Sequence, residues 1–244
     1  MNDTPKFKMP SMPPLPAPLA DFASTLAPRL PKRMRTRLQL VDAAIQVFSA
    51  RGVNAATIQE IAEVAGMTTG TVYNHFSTKD EIVQQAAMWL GDTLCRRIAD
   101  SQANIAEGAE RMAIGNRRYI WLAEQSPQWA LLLLDVLPAA PNVWLTLQAY
   151  AKADLQLGME QKSFHVSSEA AAMDVISGTV MQAMRTVALG LSPPNHGSAI
   201  AALVLRSLGM GNDDAAEVAG RPLPDFVDVP IVGKEAKPAP EFGA

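Results

Sequence analysis

The chain has little of what a catalyst, a secreted protein or a membrane protein needs. It contains one cysteine, Cys95, and three scattered histidines, His75, His165 and His196. A single cysteine forms no internal disulfide, and the histidines lack metal-ligand spacing, so neither a disulfide scaffold nor a zinc site is expected. No Ser-His-Asp order, glycine-rich phosphate loop or pair of carboxylates on one helix stands out, so we expect no enzyme activity and no cofactor. The apolar runs are short. Even Trp129 to Leu134 falls far below the roughly 20 residues of a membrane span, and the N-terminus carries no continuous apolar core of a signal peptide. These absences predict a reduced cytoplasmic protein with no membrane partner. Strictly alternating runs of β-branched residues are also missing, which argues against sheets.

What is present is a chain of 244 residues, 48% hydrophobic, enough to bury one large core or a small domain beside a larger one. The formal net charge is −3, but it is unevenly spread. Residues 1–82 hold 9 Lys/Arg against 7 Asp/Glu, whereas the remainder holds 12 against 17. Arg29, Lys32, Arg33, Arg35 and Arg37 form a basic cluster without an acid among them. Such a cluster attracts phosphate. A solvated face or a linker would have the same composition.

Residues 1–31 carry eight prolines and little apolar periodicity, and read as a flexible arm. Residues 211–244 read as a Pro/Gly/Ala-rich tail, with Pro222, Pro224, Pro230, Pro238 and Pro240 opposing any long helix. Between them nearly every segment has helical period, so the fold is expected to be all-α. The reading divides it into an N-terminal three-helix domain over 32–82 and a larger helical domain over 83–210.

The first helix is predicted over about Arg33 to Arg51, where Leu40, Ala44, Val47 and Phe48 share one face, with Gly52 closing it. Thr57 and Glu60 make a capping-box pattern for a second helix carrying Ile61, Ala62, Val64 and Ala65. After Gly66, Thr68 can cap a short third helix reaching Phe76, and Ser77 or Thr78 starts a fourth. Two short helices joined around a glycine make a helix-turn-helix.

The ordered set Ala43-Ala44, Val47-Phe48, Gly52, Thr57-Ile58-Gln59-Glu60-Ile61-Ala62, Ala65-Gly66, Gly70-Thr71-Val72-Tyr73-Asn74-His75-Phe76 and Lys79-Asp80-Glu81 resembles the DNA-binding motif of the TetR family of bacterial transcriptional regulators. The resemblance covers about residues 33–82. It implies an N-terminal helix-turn-helix, a C-terminal helical ligand-binding and dimerisation domain, and a homodimeric repressor on a palindromic operator of double-stranded DNA, released by a small-molecule effector. It also implies a cytoplasmic protein that is nucleoid-associated when DNA-bound.

The short third helix is then expected in the major groove, where each base pair shows its own pattern of donors and acceptors. Gly70 allows close backbone approach. Thr71, Asn74, Thr69 and Gln59 are the base-reading candidates, and Thr68 acts through its cap. By resemblance Tyr73 and His75 donate to phosphates, and Lys79 presents an ammonium to the DNA backbone. Val72 and Phe76 are expected in the core.

For the effector, Met88, Met112, Trp121, Trp129, Trp144, Tyr150, Met173, Met181 and Met184 are a soft and aromatic supply that suits a small, largely apolar molecule, although ordinary core has the same composition. Arg117, Arg118, Glu124, Gln125 and Arg185 are candidates to orient a polar group on it. Met173, Ile176, Val180, Met184 and Val187, with Ala172, Gly178, Ala183 and Ala188, and then Ile200, Leu203, Val204 and Leu208, suit a four-helix dimer seam. A monomeric core has the same pattern. The alternative function is a DNA-binding protein on the same fold that answers to a partner, or to no effector.

Overall fold

The computed structural model describes Pro16, Ala17, Leu19 and residues 31–226. Ten α-helices follow among the described residues from residue 32: α1 Lys32–Arg51, α2 Ile58–Val64, α3 Thr69–Tyr73, α4 Lys79–Ser101, α5 Gly108–Gln125, α6 Pro127–Val136, α7 Pro141–Glu160, α8 Glu169–Ala188, α9 His196–Ser207 and α10 Asn212–Gly220. A short 3₁₀ turn, Leu137–Ala139, joins α6 to α7. The described residues contain no strand, and the fold is all-α. No single helix among them is long and apolar enough to cross a membrane.

The helix starts follow from local chemistry. Thr57 accepts from the Glu60 N–H at 3.2 Å, and Glu60 Oε2 accepts from the Thr57 N–H at 2.9 Å, a complete capping box at α2. At α3, α4 and α8 the cap is one-sided: the side chains of Thr68, Thr78 and Ser168 accept from the N–H groups of Thr71, Glu81 and Ala171. Pro127 and Pro141 open α6 and α7, where a missing N–H costs nothing. Gly52 ends α1 at φ 77°, a left-handed conformation that favours glycine.

The N-terminal helices are not a separate body. Phe48, Ile61, Val72, Phe76 and Ile82 belong to one continuous cluster with Leu90, Leu94, Leu122, Leu133 and Leu147. The long helix α4 carries that cluster through the boundary expected at residue 82. A second cluster, with Met112, Leu155, Phe164, Val204 and Leu208, fills the far end of the larger domain.

Two segments differ from the sequence-based expectation. Residues 212–220, assigned to the tail, form α10, which buries Ala215, Val218 and Ala219 against α5 and α9. The physical reason is that the prolines of this region begin only at Pro222, while Asp213 and Asp214 favour the positive N-terminal end of a helix. Beyond α10 the chain crosses α5: Arg117 donates to the Arg221 carbonyl at 2.5 Å, Arg118 donates to the Pro224 carbonyl, and Phe226 packs on Trp121 and Arg118. The arm expected over residues 1–31 lies outside the described residues except for Pro16, Ala17, Leu19 and Pro31, and Leu19 is fully buried in the first cluster. The tail expected beyond residue 226 also lies outside them.

The apolar periodicity expected to form a dimer seam is largely intramolecular. Met173, Ile176, Val180 and Met184 point into the protein's own core. The outward faces of α8 and α9 instead present Val175 and Leu203, with Leu189 and Leu191 exposed in the loop between them. A Cβ on the nearby Gly178 would meet nothing within 4 Å.

Candidate nucleic-acid interface and ligand cavity

Helix α3 is held from beneath by Val72, fully buried, with Phe76 just beyond its end at 1% exposure. That orientation turns Thr69, Gly70, Tyr73 and Asn74 outward, all exposed, with Tyr73 at 57%. Gly70 meets no neighbour that requires a glycine, since a Cβ there would touch only the Thr68 hydroxyl at 3.7 Å. The Thr68 hydroxyl accepts from the Thr71 N–H at 3.1 Å and lies 3.0 Å from the Thr71 hydroxyl. Thr68 is exposed and Thr71 half-buried, so the cap and the outer rim of α3 share these two side chains. Gln59 is exposed on α2. His75 is half-buried, and its Nδ1 has no partner among the described residues.

Lys79 lies elsewhere than on an open phosphate-facing surface. Its ammonium donates to the carbonyls of Val53, Asn54 and Ala56 at 3.0, 3.1 and 3.1 Å. Three donors are thus spent on the turn that joins α1 to α2. Exposed positive charge comes instead from Lys32, Arg33 and Arg35 at the start of α1.

Arg37, named in the sequence only as part of the basic cluster, proves to position the motif. Its guanidinium lies 4.1 Å above the Phe76 ring, donates to the His75 carbonyl at 2.5 Å and pairs with Glu81 at 3.0 Å. Glu81 also accepts from the Ser77 N–H at 2.8 Å. That backbone donor, together with Arg37, holds the Glu81 carboxyl below its ordinary pKa. The arrangement ties the start of α1 to the end of α3 and the start of α4.

A cavity of about 340 Å³ lies inside the larger domain, lined from α4, α5, α6, α7 and α8. Met112, Trp144, Tyr150, Met181 and Met184 line it. Four other residues expected there do not. Trp129 packs beside Trp89 at 6.3 Å, Trp121 meets Phe226, Met173 belongs to the second core cluster and Met88 packs on the first. Arg117, Arg118, Glu124, Gln125 and Arg185 are likewise absent from the lining. Total hydrophobicity marks core and cavity alike, so composition did not separate the two groups.

Much of the polar lining, Gln102, Arg111, Asn116, Tyr119 and Asp154, comes from residues the sequence did not single out. Asp154, 5% exposed, accepts from Arg111 Nε at 2.6 Å and from Gln102 Nε2 at 3.1 Å. Burial raises the Asp154 pKa, and the bonded guanidinium partly opposes that rise. Cys95 Sγ lies 2.9 Å from the Tyr119 hydroxyl, and burial pushes the thiol pKa up to about 12, so it stays protonated at neutral pH. The signal that could have found part of this group is the run Arg111, Met112, Gly115, Asn116 and Tyr119, which follows one face of α5.

A hydrogen bond joins the two regions in addition to the shared apolar cluster. The Val53 N–H, beside the carbonyls that Lys79 holds, donates to Asp135 Oδ2 at 2.9 Å. Asp135 sits on α6 among Leu133, Leu134 and Leu137, which all line the cavity.

Residues 40–86 match the family model for bacterial regulatory proteins of the tetR family, and residues 107–221 match that for the tetracycline repressor-like C-terminal domain. The chain belongs to the TetR family. Its motif region is 51% identical over 49 residues to the HTH-type transcriptional regulator SrpR of Pseudomonas putida, a stretch covering 20% of this chain and 23% of SrpR. It is 34% identical over 76 residues to the repressor KstR2 of Mycobacterium tuberculosis, covering 31% and 38% of the two chains. The matched segment thus spans less than two fifths of either curated relative. Solved structures extend the likeness over the whole fold. RolR in complex with resorcinol is 27% identical, with a TM-score of 0.66, over 80% of this TetR-family chain and 98% of RolR. FadR of Bacillus subtilis in complex with stearoyl-CoA is 18% identical, with a TM-score of 0.59, over 70% and 96%, and shows the shared fold.

Proposed function

We propose that this TetR-family protein is a homodimeric repressor that binds a palindromic operator through α3 and leaves it when a small, largely apolar molecule fills the cavity. The observation that carries the reading is the Val53–Asp135 hydrogen bond, which links the turn before α2 to the helix that walls the cavity. Gln59, Thr68, Thr69, Gly70, Thr71, Tyr73, Asn74 and His75 form the proposed DNA-facing set. Support for the dimer comes from the outward apolar residues Val175 and Leu203 around the open Gly178. Two-fold symmetry then matches a palindrome. KstR2 is a repressor and RolR binds resorcinol, and a cavity of about 340 Å³ suits a compact ligand of that kind. Such a repressor works in the cytoplasm and sits on the nucleoid while DNA-bound.

A gel-shift titration on the DNA upstream of its own gene, against scrambled DNA and at several salt concentrations, tests the reading. Selective, salt-steep binding by a species that sediments as a dimer is expected. Equal, weak binding to both DNAs by a monomer would overturn it. Selective binding that no compound in a broad thermal screen relieves would favour the effector-independent alternative.

Two substitutions dissect the proposal. Asn74→Ala and Thr71→Ala are expected to change preference among operator variants, by about 1–3 kcal/mol at the base pair each one reads. An unchanged ranking of variants by both proteins would remove α3 from base reading. Asp135→Ala is expected to keep operator binding while blunting release, so that a coupling of roughly 5- to 150-fold falls toward unity. Operator affinities measured with and without effector decide this, and full release by the variant would take Asp135 out of the link.

A further inference from the structure

Two residues of the cavity lining, Gln102 and Asn116, each carry a buried polar atom with no partner among the described residues, Gln102 Oε1 and Asn116 Nδ2. Gln102 is 3% exposed and Asn116 is 4% exposed. Nearly all buried polar groups in folded proteins are hydrogen-bonded, so an orphan acceptor at the end of α4 and an orphan donor on α5, both on lining residues, point to a ligand. Reversing the Gln102 amide does not remove the first orphan. Its Nε2 donates to Asp154 Oδ2, and a reversed amide would set its oxygen against a carboxylate oxygen. The neighbouring charges are already matched to one another. Arg111 is bonded to Asp154, and the remaining charged residue of the lining, Asp92, is an acid paired with Arg96.

We infer that Gln102 and Asn116 form the polar subsite of the cavity and select a neutral, hydroxyl-bearing molecule with an apolar body against the corresponding carboxylate. The inference rests on the proposed reading of the cavity as the effector site. A hydroxyl can donate its hydrogen to the Gln102 oxygen or offer a lone pair to the Asn116 N–H, so it is matched to either group. A carboxylate has no hydrogen for that oxygen. It would also enter a wall whose charged members are two acids and one arginine already engaged by Asp154. The remaining lining, with Trp144, Met112, Leu147, Ile176, Met181 and Met184, suits the apolar body, and Trp144 and the methionines suit an aromatic ring.

The test is titration of the full-length protein, by calorimetry and by shift in melting temperature, with m-cresol, resorcinol and 1-naphthol against benzoate, 1-naphthoate and toluene. The hydroxylated compounds are expected to stabilise the protein in proportion to concentration and to bind at least tenfold more tightly than the carboxylates. Asn116→Leu is expected to weaken m-cresol roughly tenfold, leave toluene unchanged and keep the melting temperature of the ligand-free protein, because the Asn116 N–H gives up no protein partner. Gln102→Met is expected to repeat the loss from the acceptor side. Equal affinity for m-cresol and benzoate, an unaltered m-cresol affinity in both variants, or binding of none of the six compounds would each overturn the inference. Gel shifts on the same preparations separate this failure from that of the wider reading. Selective operator binding leaves the repressor standing when the subsite falls, and its loss from the unmodified protein sinks the repressor whatever the cavity binds.

Discussion

Lys79→Met is expected to lower the melting temperature by roughly 5–10 °C and to weaken operator binding more than tenfold without reducing its salt dependence. The ammonium holds three carbonyls, those of Val53, Asn54 and Ala56, at 3.0–3.1 Å. Hydrogen bonds to a charged donor are individually strong, and part of the loss is recovered when water reaches the freed carbonyls, leaving a net cost of about 2–3 kcal/mol. The turn then loses its anchor to α4, and α2 and α3 lose their fixed relation to α1. Phosphate contact, the role expected from the sequence, has a different consequence. It lowers the slope of log affinity against log salt by about one unit while leaving thermal stability alone. Melting curves and gel shifts at several salt concentrations therefore separate the two roles. Arginine is expected to be a poor replacement, since a planar fork does not direct three N–H groups onto three converging carbonyls as an ammonium does.

Gly108→Ala is expected to cost about 3 kcal/mol or more, near the upper end for overpacking, and to lower the melting temperature by roughly 6–12 °C. A Cβ on Gly108 would lie 2.4 Å from the Gly158 nitrogen and 2.8 Å from its Cα, both backbone atoms that cannot rotate aside. The start of α5 crosses the end of α7 there, and Gln161 secures the crossing by accepting from the Gly108 N–H at 2.8 Å and donating to the Ala106 carbonyl at 2.7 Å. Separating the two helices displaces Arg111 from Asp154, so the polar wall of the cavity is expected to loosen together with the fold. Thermal unfolding combined with m-cresol titration checks both effects. Undiminished stability would mean that α5 and α7 slide freely, contrary to the close backbone contact. Gly158→Ala presses on the Phe164 ring at 2.2 Å, a side chain that can yield, and is expected to cost less than Gly108→Ala.

The helix-turn-helix was legible because its determinants are local. Thr57 with Glu60, Thr68 with Thr71, and Thr78 with Glu81 are each three residues apart, and each pair satisfies a helix start without help from the rest of the chain. Gly52 and the spacing of Leu40, Ala44, Val47 and Phe48 are equally readable. Lys79 was recognised as part of the motif, but the direction of its ammonium was not readable, since the three carbonyls it holds lie more than 20 residues earlier. The cavity was half legible. Met112, Trp144, Tyr150, Met181 and Met184 line it, whereas Met88, Trp121, Trp129 and Met173 pack elsewhere. Apolar character states that a residue leaves water. It does not state which neighbours it finds.

The sequence by itself determined the all-α class, the helix starts and the motif that marks the TetR family, because three- and four-residue spacing and side-chain capping act within one or two helical turns. Tertiary structure alone decided which methionines and tryptophans face the cavity and which face of α8 stays outside. It also decided that Gln102 meets Asp154 and that Asp135 reaches Val53 across 82 residues of chain. These contacts depend on how whole helices cross, and crossing is set by the packing of many side chains at once.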